Sequence, residues 1–565
     1  MRGFSTILPL ILIAISIPRV DSSFTHNTKS GRYPDLYEAT IQELQFGLDA
    51  DDYTSVDLVT AYFARINEVN TQGANLRAVM ETNRHALEQA AALDVERRAK
   101  GKRSPLHGIP ILLKDNIATL ATEGMNTTGG SYALLESIVP GDSTVAAKLR
   151  KAGAILLGKA GLSEWAYARD WNLPSGWSGR GGQVTNPYYP GADPCGSSSG
   201  SGVATAIGLA AGSLGTETVG SIVCPSSYNN LVGIKPTVGL TSRAGVIPLS
   251  SHYDTVGPMT RSVADAAAIL SVIAGRDQND NYTLAAPANI PDYTRFLNPD
   301  AIRGKRFGVP RKIFTNDTLT GSHPIINVEL NRALDTIRSL GGVVVDPADL
   351  PGANSVLVNE QDVVLKIDLK VDLNRYLKAL KYTPTNVTSL ADVIAFNVED
   401  KVLESPDGEG QSYLVSAQST NGYNSTYYSA LRSNYEAGRQ RGIDYALKHY
   451  GLDALVLPSN GFAQVIASLA GYPVITVPLG FYPDDTPVTP HPPHLPSPAP
   501  GLPFGLAFLG TAYSEPELVG FAYAYEQHTL TRLKRRAYPL AVPNTQLQDV
   551  IGVPLKQNDP NHPDP

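Results

Sequence analysis

Gly108-Ile-Pro-Ile-Leu-Leu-Lys-Asp-Asn116 is an apolar run that ends in a lysine. It is followed at a distance by two serine-bearing stretches, Cys195-Gly-Ser-Ser-Ser-Gly-Ser-Gly202 and Gly215-Thr-Glu-Thr-Val-Gly-Ser-Ile-Val-Cys-Pro225. Ile109–Leu113 has the length and composition of a buried strand. The segment from Thr185 to Leu240 around the serines is dominated by Gly, Ser and Ala, a composition that also suits a flexible linker. A linker has no use for apolar insertions, yet Val203–Gly212 reads as a small-residue helix and Leu231–Ile234 as a strand. The segment is therefore expected to be packed core, with glycines where backbones approach each other.

Outward from these stretches, helical and strand patterns alternate. Thr54 with Asp57 resembles a capping box, and Val56, Val59, Phe63 and Ile66 follow at helical spacing. Ala86–Lys100 and Thr144–Ala152 read as helices, and Ala154–Leu157 as a strand. Further strand patterns stand at Arg306–Val309, Val343–Val345, Ala454–Leu457, Val474–Pro478 and Leu506–Leu509. Residues 357–446 are mainly helical in pattern and are expected to lie over the sheet and shape a pocket. The alternation predicts one large α/β domain with a mixed, mostly parallel sheet covered by helices on both faces. Residues 483–503 are proline-dense and read as an extended surface loop; an SH3-type ligand is the lesser alternative. There is no internal repeat and no clean domain linker.

The 565 residues are 42% apolar and 18% charged, which suits a globular protein with a sizeable core. A net charge of −7 without a basic stripe argues against a nucleic-acid partner. Arg2 followed by the apolar run Phe4–Ile17 reads as an export signal over residues 1–22. Val20 and Ser22 suit the cleavage site, so the mature domain is expected to span 23–565 and to be secreted, with no stable membrane span; an uncleaved anchor is the alternative. Sequons at Asn126, Asn281, Asn316, Asn386 and Asn424 are candidate glycan sites, Asn126 the poorest because it lies near a motif placed at the active site. The two cysteines, Cys195 and Cys224, each flank a serine motif. They are either two buried small hydrophobes or a disulfide closing a loop of roughly 30 residues.

A serine hydroxyl needs a base within hydrogen-bond reach to act as a nucleophile. Gly196-Ser-Ser-Ser-Gly200 formally fits a nucleophile elbow at Ser198, but the turn-like residues before it cannot form the required central strand. His252 and His528 follow, in no recognisable pairing with an acid. The ten histidines are scattered, and neither a metal-ligand pattern nor a phosphate-binding or dinucleotide fingerprint is present. Hydrolysis with no cofactor is the simplest chemistry left.

The three opening blocks, continued by Leu231-Val-Gly-Ile-Lys-Pro-Thr237, resemble the amidase signature family. Thr127–Ser131, Ala152–Lys159, Ser163–Trp165, Asp254–Pro258, Gly471–Pro478 and Pro503–Gly510 extend the likeness, which runs from about Tyr33 to Pro539. The pairing of Cys195–Gly202 with Ser221–Pro225 is similar to a branch containing peptide amidases, as are Leu390–Asn397 and Ser175–Arg180. The resemblance implies Ser221 as nucleophile, Ser197 as a proton bridge on a cis peptide bond, and Lys114 as base. Lys114 must then be neutral, which burial behind Ile109–Leu113 favours, while Asp115 should point to the opposite side of the strand. The amides of Thr218, Val219, Gly220 and Ser221 would bind the oxyanion. Lys159 and Lys235 are read as structural, Ser198 and Ser199 as bonded within the loop, and Glu217 as a loop anchor.

Three departures stand out. Cys195 replaces a frequent glycine, Val223 a frequent arginine, and Val219 an Asp or Gly, so recognition beside the nucleophile is left open. The implied activity is hydrolysis of a carboxylic or peptide amide through an acyl-enzyme on Ser221. The alternatives are a glutamyl-tRNA amidotransferase-type chain that supplies ammonia to a tRNA-bound partner and a non-catalytic binding protein on the same fold.

Overall fold

The computed structural model describes residues 33–358 and 360–552; the leader and cleavage point read at residues 1–23 lie outside them. Strands β1 (Val79–Thr82), β2 (Pro110–Lys114) and β3 (Ile155–Ala160) precede a separate ribbon of β4 (Trp177–Ser178) and β5 (Gly182–Gln183). Next come β6 (Gly212–Glu217), β7 (Val232–Lys235), β8 (Thr255–Thr260), β9 (Arg306–Gly308) and β10 (Val343–Val345). The last three are β11 (Ala454–Pro458), β12 (Val474–Phe481) and β13 (Pro503–Leu509).

All but the ribbon join one mixed sheet flanked by helices, in the order β1-β3-β2-β6-β8-β7-β12-β13-β11-β9-β10. Parallel pairing forms two runs, β3–β2–β6 and β11–β9–β10. The strands between those runs pair antiparallel, a distinction that short apolar runs do not encode. Every residue of β2, β3, β6 and β8 is buried, as expected of strands covered on both faces.

Most elements stand within a few residues of the sequence reading. Thr54 and Asp57 do form the capping box of helix Ser55–Val69. Its buried face is set by Leu58, Val59, Tyr62 and Ile66, whereas Val56 and Phe63 lie half-buried at its margin. Strands β1, β6 and β8 escape the pattern: β1 is too short to show a period, and β6 and β8, rich in Gly, Ser and Thr, show no apolar alternation.

The small-residue helix is displaced from its expected span. It covers Ser199–Ala206, so it starts inside the serine motif and stops before Gly208. Gly208 has φ +70, and a Cβ there would meet the Leu36 carbonyl at 2.1 Å, so the chain turns at glycine. The carbonyls left open at this helix end are taken by three buried arginines. Arg261 donates to Thr205 (2.9 Å), Arg532 to Ala206 (2.8 Å), and Arg65 to Ile207 (2.9 Å) and Gly208 (2.7 Å).

Helices Glu360–Ala379, Leu390–Glu399, Ser412–Gln418 and Ser425–Gly438 form a layer with its own apolar clusters. A buried ion triad ties the layer to the core: Arg169 Nη1 lies 2.6 Å from Glu164 and 2.8 Å from Glu404. Glu404 also accepts from Ser131 Oγ at 2.8 Å. The proline-dense loop connects β12 to β13, and the Pro496 carbonyl accepts the Asp193 amide (3.1 Å) just before the serine motif. Among the described residues no helix is long and apolar enough to cross a membrane.

Replacing Arg65 with methionine keeps bulk but strands the carbonyls of Ile207, Gly208 and Thr545 in the interior. At about 1–3 kcal/mol for each unsatisfied group, the Arg65→Met variant should be less stable by roughly 3 kcal/mol or more. A lower urea midpoint than wild type is the expected result.

Candidate active site

Lys114 ends β2, between β3 and β6, and its side chain is fully buried. Its Nζ lies 2.7 Å from Ser197 Oγ, 2.9 Å from Thr216 Oγ1 and 3.2 Å from the Thr216 carbonyl. Burial pushes the amine down to about 7, against the more distant carboxylates of Asp254 and Glu217 that favour its charged form. Asp115 points the other way along the strand, accepting from Thr128 Oγ1 (2.6 Å) and the Gly130 amide (3.0 Å).

The serine motif crosses over this amine. The Gly196–Ser197 bond is cis, and the buried Ser197 carbonyl accepts the Ser163 amide at 3.1 Å. Ser198 Oγ donates to the Thr216 carbonyl (3.2 Å) and Ser199 Oγ to the Cys195 carbonyl (2.5 Å), so both hydroxyls are taken up by nearby backbone. The Ser198 amide reaches across to the Ser221 carbonyl at 3.2 Å, joining the two serine motifs.

Beyond β6 the chain turns through 218–222 into helix Val223–Tyr228. Glu217 Oε2 accepts the amides of Ile222 (2.7 Å) and Val223 (2.8 Å), anchoring the turn from inside. Thr218 Oγ1 donates to Asp254 at 2.6 Å, and the Thr218 carbonyl accepts from Ser468 Oγ at 2.7 Å. Gly220 has φ +84, and a Cβ there would sit 2.9 Å from Gln464 Cγ, so no larger residue fits. The amides of Val219 and Ser221 find no acceptor among the described residues, and neither does the Ser221 hydroxyl. Cys195 and Cys224 form a disulfide across the two motifs, with Cα atoms 5.9 Å apart.

Ser221 opens onto a cavity of about 170 Å³, which Thr218, Val219 and Gly220 also line. The disulfide forms part of its wall, together with Tyr167, Trp171, Leu249, Leu369 and Tyr413. Lys114, Ser197 and Ser221 are thus brought together as a group, with the link from Lys114 to Ser197 made and Ser197–Ser221 not closed as a hydrogen bond.

Other readings fall elsewhere. Lys159 and Lys235 are also fully buried and pushed down to about 8, but their amines donate to the carbonyls of Ile117 (2.7 Å) and Tyr472 (2.7 Å). His252 does have an acid partner, contrary to expectation: its Nδ1 is 3.0 Å from Asp368, which is distant in sequence and met only through folding. Neither His252 nor His528 lines the Ser221 cavity. Four sequon asparagines are exposed, whereas Asn126 is half-buried and donates to Glu81 at 2.8 Å. Thr216, Ser468 and Gln464 escaped the sequence reading. Asp254 lay in a quoted block without an assigned role.

The Amidase family profile matches residues 57–465 of this chain. The chain belongs to the amidase signature family. A protein of Arthroderma benhamiae assigned as an amidase is 42% identical over 531 residues, covering 89% of this chain and 88% of its own. A glutamyl-tRNA(Gln) amidotransferase chain from Moorella thermoacetica is 30% identical, covering 88% of this chain and 97% of its own. The structure of native peptide amidase from Stenotrophomonas maltophilia superposes with a TM-score of 0.80 at 42% identity, covering 89% of this chain and 98% of that one. This amidase is accordingly an amide-hydrolysing enzyme.

The disulfide spans a sequence separation of 29. In the chain-entropy account such a loop contributes about 3–4 kcal/mol. The Cys195→Ala/Cys224→Ala double variant should therefore unfold at a lower temperature than wild type by several degrees. A thermal scan of both proteins in the absence of reductant checks this.

Proposed function

We propose that this amidase cleaves the C-terminal carboxamide of peptides, releasing ammonia and the free peptide acid. The observation that carries the reading is the buried Lys114 amine at 2.7 Å from Ser197, set behind a serine that opens onto a largely apolar cavity. The likeness to peptide amidase over nearly the whole chain supports the substrate class.

In this reading neutral Lys114 takes the proton of Ser197, and Ser197 takes that of Ser221. The Ser221 oxygen then attacks the carboxamide carbon. Catalytic hydrogen bonds of this kind tighten when substrate enters, which closes the Ser197–Ser221 link. The oxyanion is held by the amides of the 218–221 turn, of which Val219 and Ser221 stand without acceptors. The same relay in reverse protonates the leaving ammonia, and an acyl-enzyme remains on Ser221. Water, deprotonated through Ser197 and Lys114, then releases the acid. Thr216 and Asn116 hold the amine's surroundings, since Asn116 Nδ2 donates to Thr216 Oγ1 at 3.0 Å.

Export fits the same chain. The apolar run Phe4–Ile17, the disulfide and the exposed sequons all suit an oxidising, secretory route, and N-terminal sequencing of protein from culture medium should begin near Ser23. An ammonia-supplying chain would instead copurify with a partner, and expression in the native host with affinity capture distinguishes the two.

The base limb of the mechanism has a definite sign. Lys114 acts only when neutral, and its amine is held at about 7, so kcat/KM for a peptide amide should rise with pH through about 7 and level off above it. Ser221→Ala and Lys114→Ala should each lose at least ~10⁴-fold in kcat with the circular dichroism spectrum unchanged. Full activity in Lys114→Ala, or a rate that falls through pH 7, removes the lysine relay.

A further inference from the structure

A second pocket, of about 520 Å³, abuts the Ser221 cavity. The two share Trp171, Val219, Leu365 and Tyr413 as common walls. Trp171 stands edge-on between Tyr167 and Tyr413, with ring centroids 5.4 and 5.1 Å apart, so the divide is aromatic. The inner cavity alone is smaller than the ~300 Å³ at which ligand pockets usually begin, whereas the outer one falls inside the usual range.

The chemistry of the outer pocket is distinct. Val356, Leu365, Val465 and Leu469 supply aliphatic surface. Its only charged lining residues among those described are Asp362 and Lys366, and these pair with each other at 2.6 Å. The pair leaves no net charge to attract an ionised group, and desolvating such a group here finds no compensation. Gln361, which also lines this pocket, donates to Ser468 Oγ at 2.7 Å, and Ser468 in turn donates to the Thr218 carbonyl. The outer pocket is therefore two hydrogen bonds away from the turn that carries the nucleophile.

We infer that the outer pocket is a binding subsite for an apolar side chain on the residue that precedes the amidated one, and that it makes the enzyme select peptide amides by this penultimate residue. The inference rests on the peptide-amide reading above. With the scissile carboxamide at Ser221 and its own residue filling the inner cavity, the chain leaves along the shared walls. Consecutive Cα atoms are about 3.8 Å apart, so the next side chain is delivered at once into the adjoining space. Val219 is the one nucleophile-turn residue on both walls, and its isopropyl group keeps the junction apolar.

Ammonia release from three substrates tests this with the purified full-length enzyme: N-acetylleucinamide, N-acetylphenylalanylleucinamide and N-acetylglutamylleucinamide. The phenylalanyl substrate should exceed the glutamyl one in kcat/KM by about tenfold or more, chiefly through KM. In Val356→Lys, on the half-buried outer wall, the added cation draws the glutamyl carboxylate and opposes the apolar side chain, so that ratio should fall by about tenfold. A ratio within one preparation does not depend on how much of the variant is folded. Equal kcat/KM for both dipeptide amides, or an unchanged ratio in Val356→Lys, overturns the subsite. Cleavage of none of the three by wild type removes the peptide-amide reading itself, a pattern distinct from cleavage without preference.

Discussion

The structure depends on keeping one amine out of water. Lys114 is wholly enclosed between β3, β6 and the serine motif, and its charge is favoured only by the Thr216 carbonyl and by carboxylates too distant to pair with it. Desolvation therefore dominates, and the amine is poised near neutrality. Burial alone does not make a base, because Lys159 and Lys235 are equally enclosed. Each of the three amines lies against a backbone carbonyl, which favours the ammonium, and Lys159 also meets the Thr127 hydroxyl at 2.9 Å. Lys114 differs in where its hydroxyl partner stands: Ser197 belongs to the motif joined to Ser221, so in the proposed reading its proton can be passed on.

That contact is useful only if the two serine motifs cannot drift apart. The motifs are joined by a disulfide and by the Ser198 amide on the Ser221 carbonyl. Behind them, helix Ser199–Ala206 is wholly buried and its small side chains, Val203, Ala204 and Ala206 among them, pack into the main apolar core. Its buried carbonyl end, left open by the helix, is fastened by Arg65, Arg261 and Arg532, which reach in from distant parts of the chain. Charged donors on neutral carbonyls are among the stronger hydrogen bonds in proteins, so rigidity is concentrated where the side chains are smallest.

The cavity has a different origin from the chemistry. The groups proposed to react come from β2, the serine motif and the turn after β6, while Leu365, Leu369 and Tyr413 come from the helical layer. The layer communicates with the turn through polar side chains: Gln361 and Ser468 reach Thr218 from one side and Asp254 from the other. One machinery for attack can thus be combined with walls of different shape, since wall residues need only exclude water and match the substrate.

Much of this was legible in the residue order. A buried strand ending in lysine, two serine motifs in glycine-rich settings and the capping box at Thr54 are local patterns, and local physics places them. Lys114, Ser197 and Ser221 could be named before folding from the resemblance to the amidase signature family, and the loop roles of Ser198, Ser199 and Glu217 could be read as well. Strands β1, β6 and β8 could not, because β1 is too short to show a period and the small residues of β6 and β8 carry no alternation. The antiparallel centre of the sheet was equally hidden, since strand direction follows from how the chain returns. The pairing of His252 with Asp368, the arginine caps and the shared wall at Val219 join residues tens to hundreds of positions apart. Residue types and spacings by themselves determined which family the chain resembles and so which chemistry that resemblance implies. Only the tertiary structure decided what surrounds that chemistry, because burial and contact between remote segments exist only once the chain has closed on itself.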